Sequence, residues 1–318
     1  MDISIIIVNY NTPALTLACV ESIYKSGFKG SFEIVIVDND STDSGKESIL
    51  VRCPRVIWVQ NTYNAGFARG NNLGLKSARG EVILFLNSDT IVTDNAIAEC
   101  YKRMRSNQHI VAASVQLLNV DESLQDSSYD SYYWLDLING IPYLNKVLHF
   151  PIRLLKNLCM RVKGIEIGYL NGAFLMVKME IISKSGFFDE DFFLYSEDAE
   201  LCLRLKSYGD LFVYRDLFVY HLIHGSKSND NFHYGQQQLS IQLFVRKQFG
   251  VIAYLFYICL VGFSVPLMLF VSSLKAILKL DFKFCKNFGS YFSMFYLWVC
   301  FAPKIISRTP FLYKFKFY

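Results

Sequence analysis

The stretch Ile3-Ser4-Ile5-Ile6-Ile7-Val8-Asn9-Tyr10-Asn11-Thr12 runs from an apolar, β-branched segment straight into amides and hydroxyls. Comparable apolar runs return at residues 33–37, 56–59 and 82–86, with helix-like segments between most of them. That alternation predicts βαβ units and a parallel sheet. The runs are continuous rather than alternating, as expected of central strands covered on both faces.

Open α/β sheets bind ligands at the carboxyl ends of their strands, so the residues after each run carry the functional information. Those ends read Asn9-Tyr10-Asn11-Thr12, Asp38-Asn39-Asp40-Ser41-Thr42-Asp43, Asn61-Thr62-Tyr63-Asn64-Ala65-Gly66 and Asn87-Ser88-Asp89-Thr90. Singly, such residues are turn formers and helix caps. Converging on one edge of one sheet, they predict a polar ligand site.

Composition narrows the class. With 318 residues, 52% of them apolar, the chain is neither disordered, nor collagen-like, nor a small disulfide scaffold. The charge is uneven: residues 251–318 carry eight Lys or Arg against Asp281 alone, a net +7, which leaves the rest at −3. A mildly acidic body with a basic, aromatic, apolar tail does not suggest a nucleic-acid binder, whose basic stripe should lie on the folded domain. It predicts contact with an anionic membrane surface. The eight cysteines form no C-x-x-C pair and no zinc-ligand cluster, and read as reduced core thiols. The start of the chain has no basic segment ahead of its short apolar run, so no signal peptide is expected and the body is placed in the cytoplasm.

Four segments could carry chemistry. Asp89, at the end of the run 82–86, can hold a divalent cation that bridges to a diphosphate, although an Asp before Thr90 can equally cap a following helix. The segment 64–74 places three glycines and three asparagines at a strand-to-helix junction, where backbone can approach an anionic ligand. Its spacing fits neither a Walker A loop nor the dinucleotide fingerprint. Between Gly186 and Arg204 six carboxylates sit among aromatics, and Glu197-Asp198 opens a helix whose Leu201 and Leu205 face inward. Apolar neighbours can raise the pKa of one carboxylate and leave it as a general base; a first-turn acidic cluster capped by Ser196 is the plainer reading. Last, His221 and His224 follow a short strand and could complete a metal site or meet a diphosphate.

With these segments in this order, the chain resembles the family 2 glycosyltransferases, in particular the rhamnosyltransferase-like bacterial enzymes of surface-polysaccharide synthesis. The matching stretches lie between residues 3 and 226 and include Val37-Asp38-Asn39-Asp40, Asn64-Ala65-Gly66, Leu86-Asn87-Ser88-Asp89, Gly172-Ala173 and His221. The resemblance implies an α/β GT-A fold, a Rossmann-like mixed sheet flanked by helices. It also implies a nucleotide-diphospho-sugar donor, Mg²⁺ or Mn²⁺, and inversion at the anomeric carbon. Carried over by position, Asp38 would bond the nucleotide base, with Asn9 and Asn11 lining its pocket. Asn64, Gly66, Asn71 and Asn87 would lie along the nucleotide sugar, with Arg69 supplying charge. Asp89 would bind the metal, with His221 as a further ligand, and Asp198 would take the proton of the acceptor hydroxyl. Many relatives have two or three aspartates where this chain has Asn87-Ser88-Asp89. The Asn-x-Asp form is common among rhamnosyltransferase-like members and points to dTDP-rhamnose.

Residues 251–274 carry no charge and are long enough to cross a bilayer, though Gly262 and Pro266 interrupt them; residues 287–303 form a second apolar run. A spanning hairpin would put Lys275, Lys279, Lys283 and Lys286 outside, against the positive-inside tendency. The expected arrangement is therefore interfacial or re-entrant on the cytoplasmic leaflet of the inner membrane, with Trp298 and the lysines at the headgroups. The expected division is a catalytic domain over 1–230, split at 118 into a nucleotide-sugar-binding half and an acceptor half, and a membrane-associating helical region over 231–318. The acceptor would be a saccharide, lipid-linked given that location. A sugar nucleotidyltransferase would need a Gly-rich basic loop after the first strand, which Asn9-Tyr10-Asn11-Thr12-Pro13 is not. A non-catalytic, membrane-tethered scaffold is the third reading.

Overall fold

The computed structural model describes residues 1–130, 153–154, 166–222, 230–279, 302 and 305. Two compact units make up the chain: residues 1–130, 167–190 and 197–227 form one, and residues 131–166, 191–196 and 228–318 form the other.

The first unit is built on one mixed sheet of eight strands. Four parallel strands lead it: β1 (Ile3–Asn9), β2 (Phe32–Asp38), β3 (Ile57–Gln60) and β4 (Val82–Asn87). The others are β5 (Thr90–Val92), β6 (Ile110–Leu118), β9 (Phe174–Lys178) and β10 (Asp210–His221), in the order β3-β2-β1-β4-β9-β6-β10-β5. β9 runs antiparallel to β4 and β6, and β5 antiparallel to β10. A separate hairpin pairs β7 (Ser128–Asp130) with β8 (Ile167–Leu170).

Helices cover both faces, which explains the continuous apolar runs. One face packs Ile3, Ile5 and Ile7 against Cys19, Val20 and Ile23 of α1 (Pro13–Lys25), Ile49 of α2 (Lys46–Arg52), and Ile97 and Met104 of α4 (Ala96–Ser106). The other packs Ile6, Val35 and Val37 against Ala68 and Leu75 of α3 (Gly66–Leu75), Ile182 of α5 (Met179–Ser185), and Leu201 and Leu205 of α6 (Glu197–Leu205). Each fully buried Ile, Leu, Val or Met among them contributes about 1.5–3 kcal/mol.

Two expectations from the sequence change here. From the sequence, residues 168–177 read as a single strand; the turn Asn171-Gly172-Ala173 divides them into β8 and β9. Thr90 opens strand β5 rather than a helix, so Asp89 is not a helix cap.

In the second unit, α7 (Asp230–Lys279) passes Gly262 and Pro266 and breaks instead at Gly250, with φ 84° and ψ −178°. Only glycine takes that backbone conformation without strain. His224, Trp298 and all of the run 287–303 except residue 302 lie outside the described residues, as does most of 131–165.

Candidate active site

The carboxyl ends of β1 and β2 lie side by side, with Asn9 paired to Asp38 in register. Both side chains are fully buried. Asn9 Nδ2 donates to Asp38 Oδ1 at 2.7 Å, and Asn9 Oδ1 accepts from the hydroxyls of Thr12 and Thr16. Asp38 accepts further from Ser41 N, Ser41 Oγ and Gln60 Nε2. In this arrangement Asn9 and Asp38 brace the site from below. The groups they organise at its surface are Ser41 and the exposed Asn11, whose Oδ1 accepts from Thr42 N and Thr42 Oγ1.

Asn64 Oδ1 accepts from Gly66 N at the start of α3, and Asn39 ties Gly66 O to Asn61. Asn71 lies within the helix, buried, and donates to Phe67 O. The glycines beyond Gly66 serve packing rather than ligand approach, which corrects the sequence reading. A Cβ on Gly74 would lie 2.6 Å from Ile6 Cγ2, and one on Gly70 3.1 Å from Val8, so α3 sits directly against the sheet. Arg69 is turned to residue 190, donating from Nε to Glu190 O at 2.9 Å with the Glu190 carboxylate 3.8 Å away.

Asp89 and His221 meet because β5 and β10 pair antiparallel, setting Thr90 opposite His221. His221 Nε2 is 3.4 Å from Asp89 Oδ1 and 3.2 Å from Asn87 Nδ2, with both side chains of the Asp–His pair more than four-fifths buried. Gln125 fixes the ring. Its Nε2 donates to Asn119 Oδ1 and His221 O, which leaves Oε1 facing His221 Nδ1 at 3.0 Å. Nδ1 donates to Gln125, and Nε2 is the nitrogen that faces Asp89 and Asn87. A carboxylate oxygen and an imidazole nitrogen at this spacing can share one divalent ion, whose remaining positions a diphosphate would fill. Among the described residues no group of three or more His, Cys, Asp or Glu stands ready to hold a metal without such help.

The turn Asn171-Gly172-Ala173 links this pair to Asp198. Ala173 O accepts from Asn87 N, and the neighbouring Gly172 N donates to Asp198 Oδ2 at 3.0 Å. Asp198 Oδ1 accepts from Ala199 N. Burial raises the Asp198 pKa, opposed by the Gly172 and Ala199 N–H groups. Glu197 beside it is buried more deeply, its Oε2 has no hydrogen-bond partner among the described residues, and burial together with the charge of Asp198 pushes its pKa well above the usual carboxylate range. Tyr129, stacked on Tyr169 with centroids 4.4 Å apart, has its phenol raised by burial and by the charges of Asp126 and Asp198.

A hydroxyl contact closes the circuit, with Thr12 Oγ1 3.1 Å from Ser88 Oγ. Asp38, Asn9, Thr12 and Ser88 are thus joined side chain to side chain, the next residue, Asp89, meets His221 and through it Gln125, and Asp198 attaches through Gly172. Gln125, Glu197 and the Tyr129–Tyr169 stack were not legible as parts of the site. Gln125 lies in a polar stretch with no local signal, and Glu197 was readable only as half of an acidic pair.

Comparison with known proteins places the chain in a family and a fold. The glycosyltransferase GlyG of Streptococcus pneumoniae serotype 4 is 32% identical over 124 residues, 38% of this chain and 40% of GlyG. The UDP-Glc:alpha-D-GlcNAc-diphosphoundecaprenol beta-1,3-glucosyltransferase WfaP of Escherichia coli is 40% identical over 88 residues, 27% of this chain and 35% of WfaP. The chain thus spans well under half the length of either relative. The mannosyltransferase PcManGT of Pyrobaculum calidifontis, solved in complex with GDP-Man and Mn²⁺, aligns over 97% of this chain and 88% of its own at a TM-score of 0.59 and 13% identity. That likeness shows the fold, a GT-A arrangement of mixed sheet between helices. The model of Glycosyl transferase family 2 matches residues 4–186, more than half of the chain, and the chain belongs to that family.

Proposed function

We propose that this chain is an inverting glycosyltransferase that moves a sugar from a nucleotide-diphospho-sugar to a saccharide acceptor in cell-surface polysaccharide synthesis. The observation that carries the reading is the connected edge from Asp38 to His221, with Asp198 joined to it through Gly172. The donor's nucleotide lies over the floor braced by Asn9 and Asp38, with Asn11, Asn64 and Gly66 around it, while Asn71, buried in α3 with its amide on Phe67 O, supports that helix rather than meeting the ligand. Its diphosphate lies towards Asn87 and Asp89. Arg69 adds positive charge at the rim.

Asp89 and His221 would hold Mg²⁺ or Mn²⁺, which when bound neutralises charge developing on the leaving diphosphate. The carboxylate of Asp198 accepts the proton of the acceptor hydroxyl as that oxygen attacks the anomeric carbon. One bond forms, the bond to the nucleoside diphosphate breaks, and the single displacement inverts the centre. The raised pKa of Asp198 brings its basicity nearer to neutral pH, as this role requires.

The Asn87-Ser88-Asp89 form of the metal segment favours dTDP-rhamnose as donor. A lipid-linked acceptor at the cytoplasmic face of a bacterial inner membrane is supported by the apolar, basic tail and by WfaP, whose named acceptor is a diphosphoundecaprenol-linked sugar. Calorimetric titration of dTDP-rhamnose, and in parallel UDP-hexoses, with Mg²⁺ or Mn²⁺ and then with EDTA, tests the donor. Metal-dependent binding of one nucleotide sugar is expected; binding of none, in either condition, sinks the reading.

A further inference from the structure

Helix α7 contains a stretch, Gly235–Gly262, long and apolar enough to cross a bilayer. Its two halves meet different surroundings. Before Gly250 the helix buries Gln236, Gln238, Ser240 and Gln242. Gln236 Nε2 donates to Ser240 Oγ, Ser240 Oγ donates to Leu194 O at 2.6 Å, and Lys247 pairs with Asp191 at 2.6 Å. Polar groups satisfied in this way belong inside protein, since lipid leaves a helix's polar side chains without partners.

Beyond Gly250 the helix has two apolar faces. Tyr254, Tyr257, Ile258 and Val261 are buried. Ile252 is 82% exposed, Phe256 65% and Phe270 66%, with Leu255, Cys259 and Pro266 exposed as well. At about 100° per residue these six fall within an arc of about 100°, and the four buried side chains fall on the opposite side. Over the 18 residue steps from Ile252 to Phe270 the stripe is about 27 Å long at about 1.5 Å per residue. Soluble surfaces do not leave such a stripe in water without a use for it.

We propose that this stripe faces an anionic lipid bilayer: α7 beyond Gly250 lies in the plane of the leaflet, with Ile252, Phe256, Cys259 and Phe270 among the acyl chains, and does not cross it. The protein occupies one face of the helix, whereas a lone spanning helix offers its whole circumference to lipid. Lys275, Lys279, Lys283 and Lys286 follow directly and complement anionic headgroups. The inference deepens the membrane reading given above and names the surface that makes the contact.

The test is sedimentation of the full chain with vesicles of phosphatidylcholine mixed with phosphatidylglycerol, without nucleotide sugar or acceptor, so that its outcome is separate from that of the donor titration. The wild type binds mixed vesicles more tightly than pure phosphatidylcholine, and less tightly as salt rises. Ile252→Glu/Phe256→Glu lowers the bound fraction about tenfold or more, while Ala253→Glu, between the two faces, stays within about threefold. Cys259→Glu repeats the measurement if the double variant loses its melting transition. Equal binding by wild type and double variant overturns the proposal. So does loss of binding in Ala253→Glu, as a spanning helix would show. A double variant that turns a dimer into a monomer while still binding vesicles would assign the stripe to a second copy of the chain and also overturn it.

Discussion

The backbone N–H of Gly172 donates to Asp198 Oδ2 at 3.0 Å, so the carboxylate at the start of α6 is held by the turn between β8 and β9. Asparagine at this position keeps an oxygen for Gly172 and cannot accept the acceptor's proton. Asp198→Asn is expected to retain donor affinity and to lose about 10²–10⁴-fold in kcat. Donor calorimetry beside a transfer assay checks both halves, and near wild-type turnover would remove Asp198 from the base role.

Gln125 touches no substrate in the proposed site but accepts from His221 Nδ1 and so orients the ring with Nε2 towards Asp89. Outer partners of this kind are worth about 10–100-fold in metal affinity. Gln125→Leu is expected to shift the Mg²⁺ or Mn²⁺ dependence of donor binding to higher concentration by that factor, and His221→Ala to shift it further. Asp89→Ala abolishes the metal dependence. An unmoved metal titration in Gln125→Leu would mean that the ring is oriented by something else.

Glu197 keeps its proton to higher pH in the folded chain than in the unfolded one, because burial and the charge of Asp198 both disfavour its ionised form. Its effect on stability is therefore absent below the ordinary carboxylate pKa and becomes a loss as pH rises towards the raised folded value. Glu197→Gln removes that loss: the variant should melt at the same temperature as wild type near about pH 4 and higher than it near about pH 8. Parallel melting curves across that range would show that the carboxylate ionises without penalty.

Gly74 has no room for a side chain, with Ile6 Cγ2 2.6 Å and Val37 Cγ2 3.0 Å from the position a Cβ would take. Gly74→Ala must push α3 off the sheet, at a cost of about 1–3 kcal/mol. Gly70→Ala, whose nearest neighbours lie at 3.1 Å, should cost less. Denaturant unfolding of the two variants ranks them; the reverse order would mean that the helix shifts more easily at its end than at its middle.

The parallel half of the sheet was legible because helices on both faces turn β1, β2 and β4 into unbroken apolar runs, and their polar ends stand out against them. β6 was not, because Ser114 and Gln116 interrupt its apolar pattern although both are buried; Gln116 Nε2 donates to Gln125 O and Ser127 Oγ. The turn at Gly172 was hidden inside what reads as a single strand, so the partner of Asp198 could not be foreseen. Gln125 escaped for a different reason. Its role exists only through β10, and no spacing in the chain records a contact made across the sheet.

The antiparallel pairing of Thr90 with His221 also sets an order on synthesis. A nascent chain that has emerged through β7 already holds Asn9, Asp38 and Asp89, but neither Asp198 nor His221. Contacts between such distant stretches form late in folding. In the proposed site the metal pair Asp89–His221 therefore exists only once β10 has paired with β5, so metal dependence of donor binding would report that this edge of the sheet has closed.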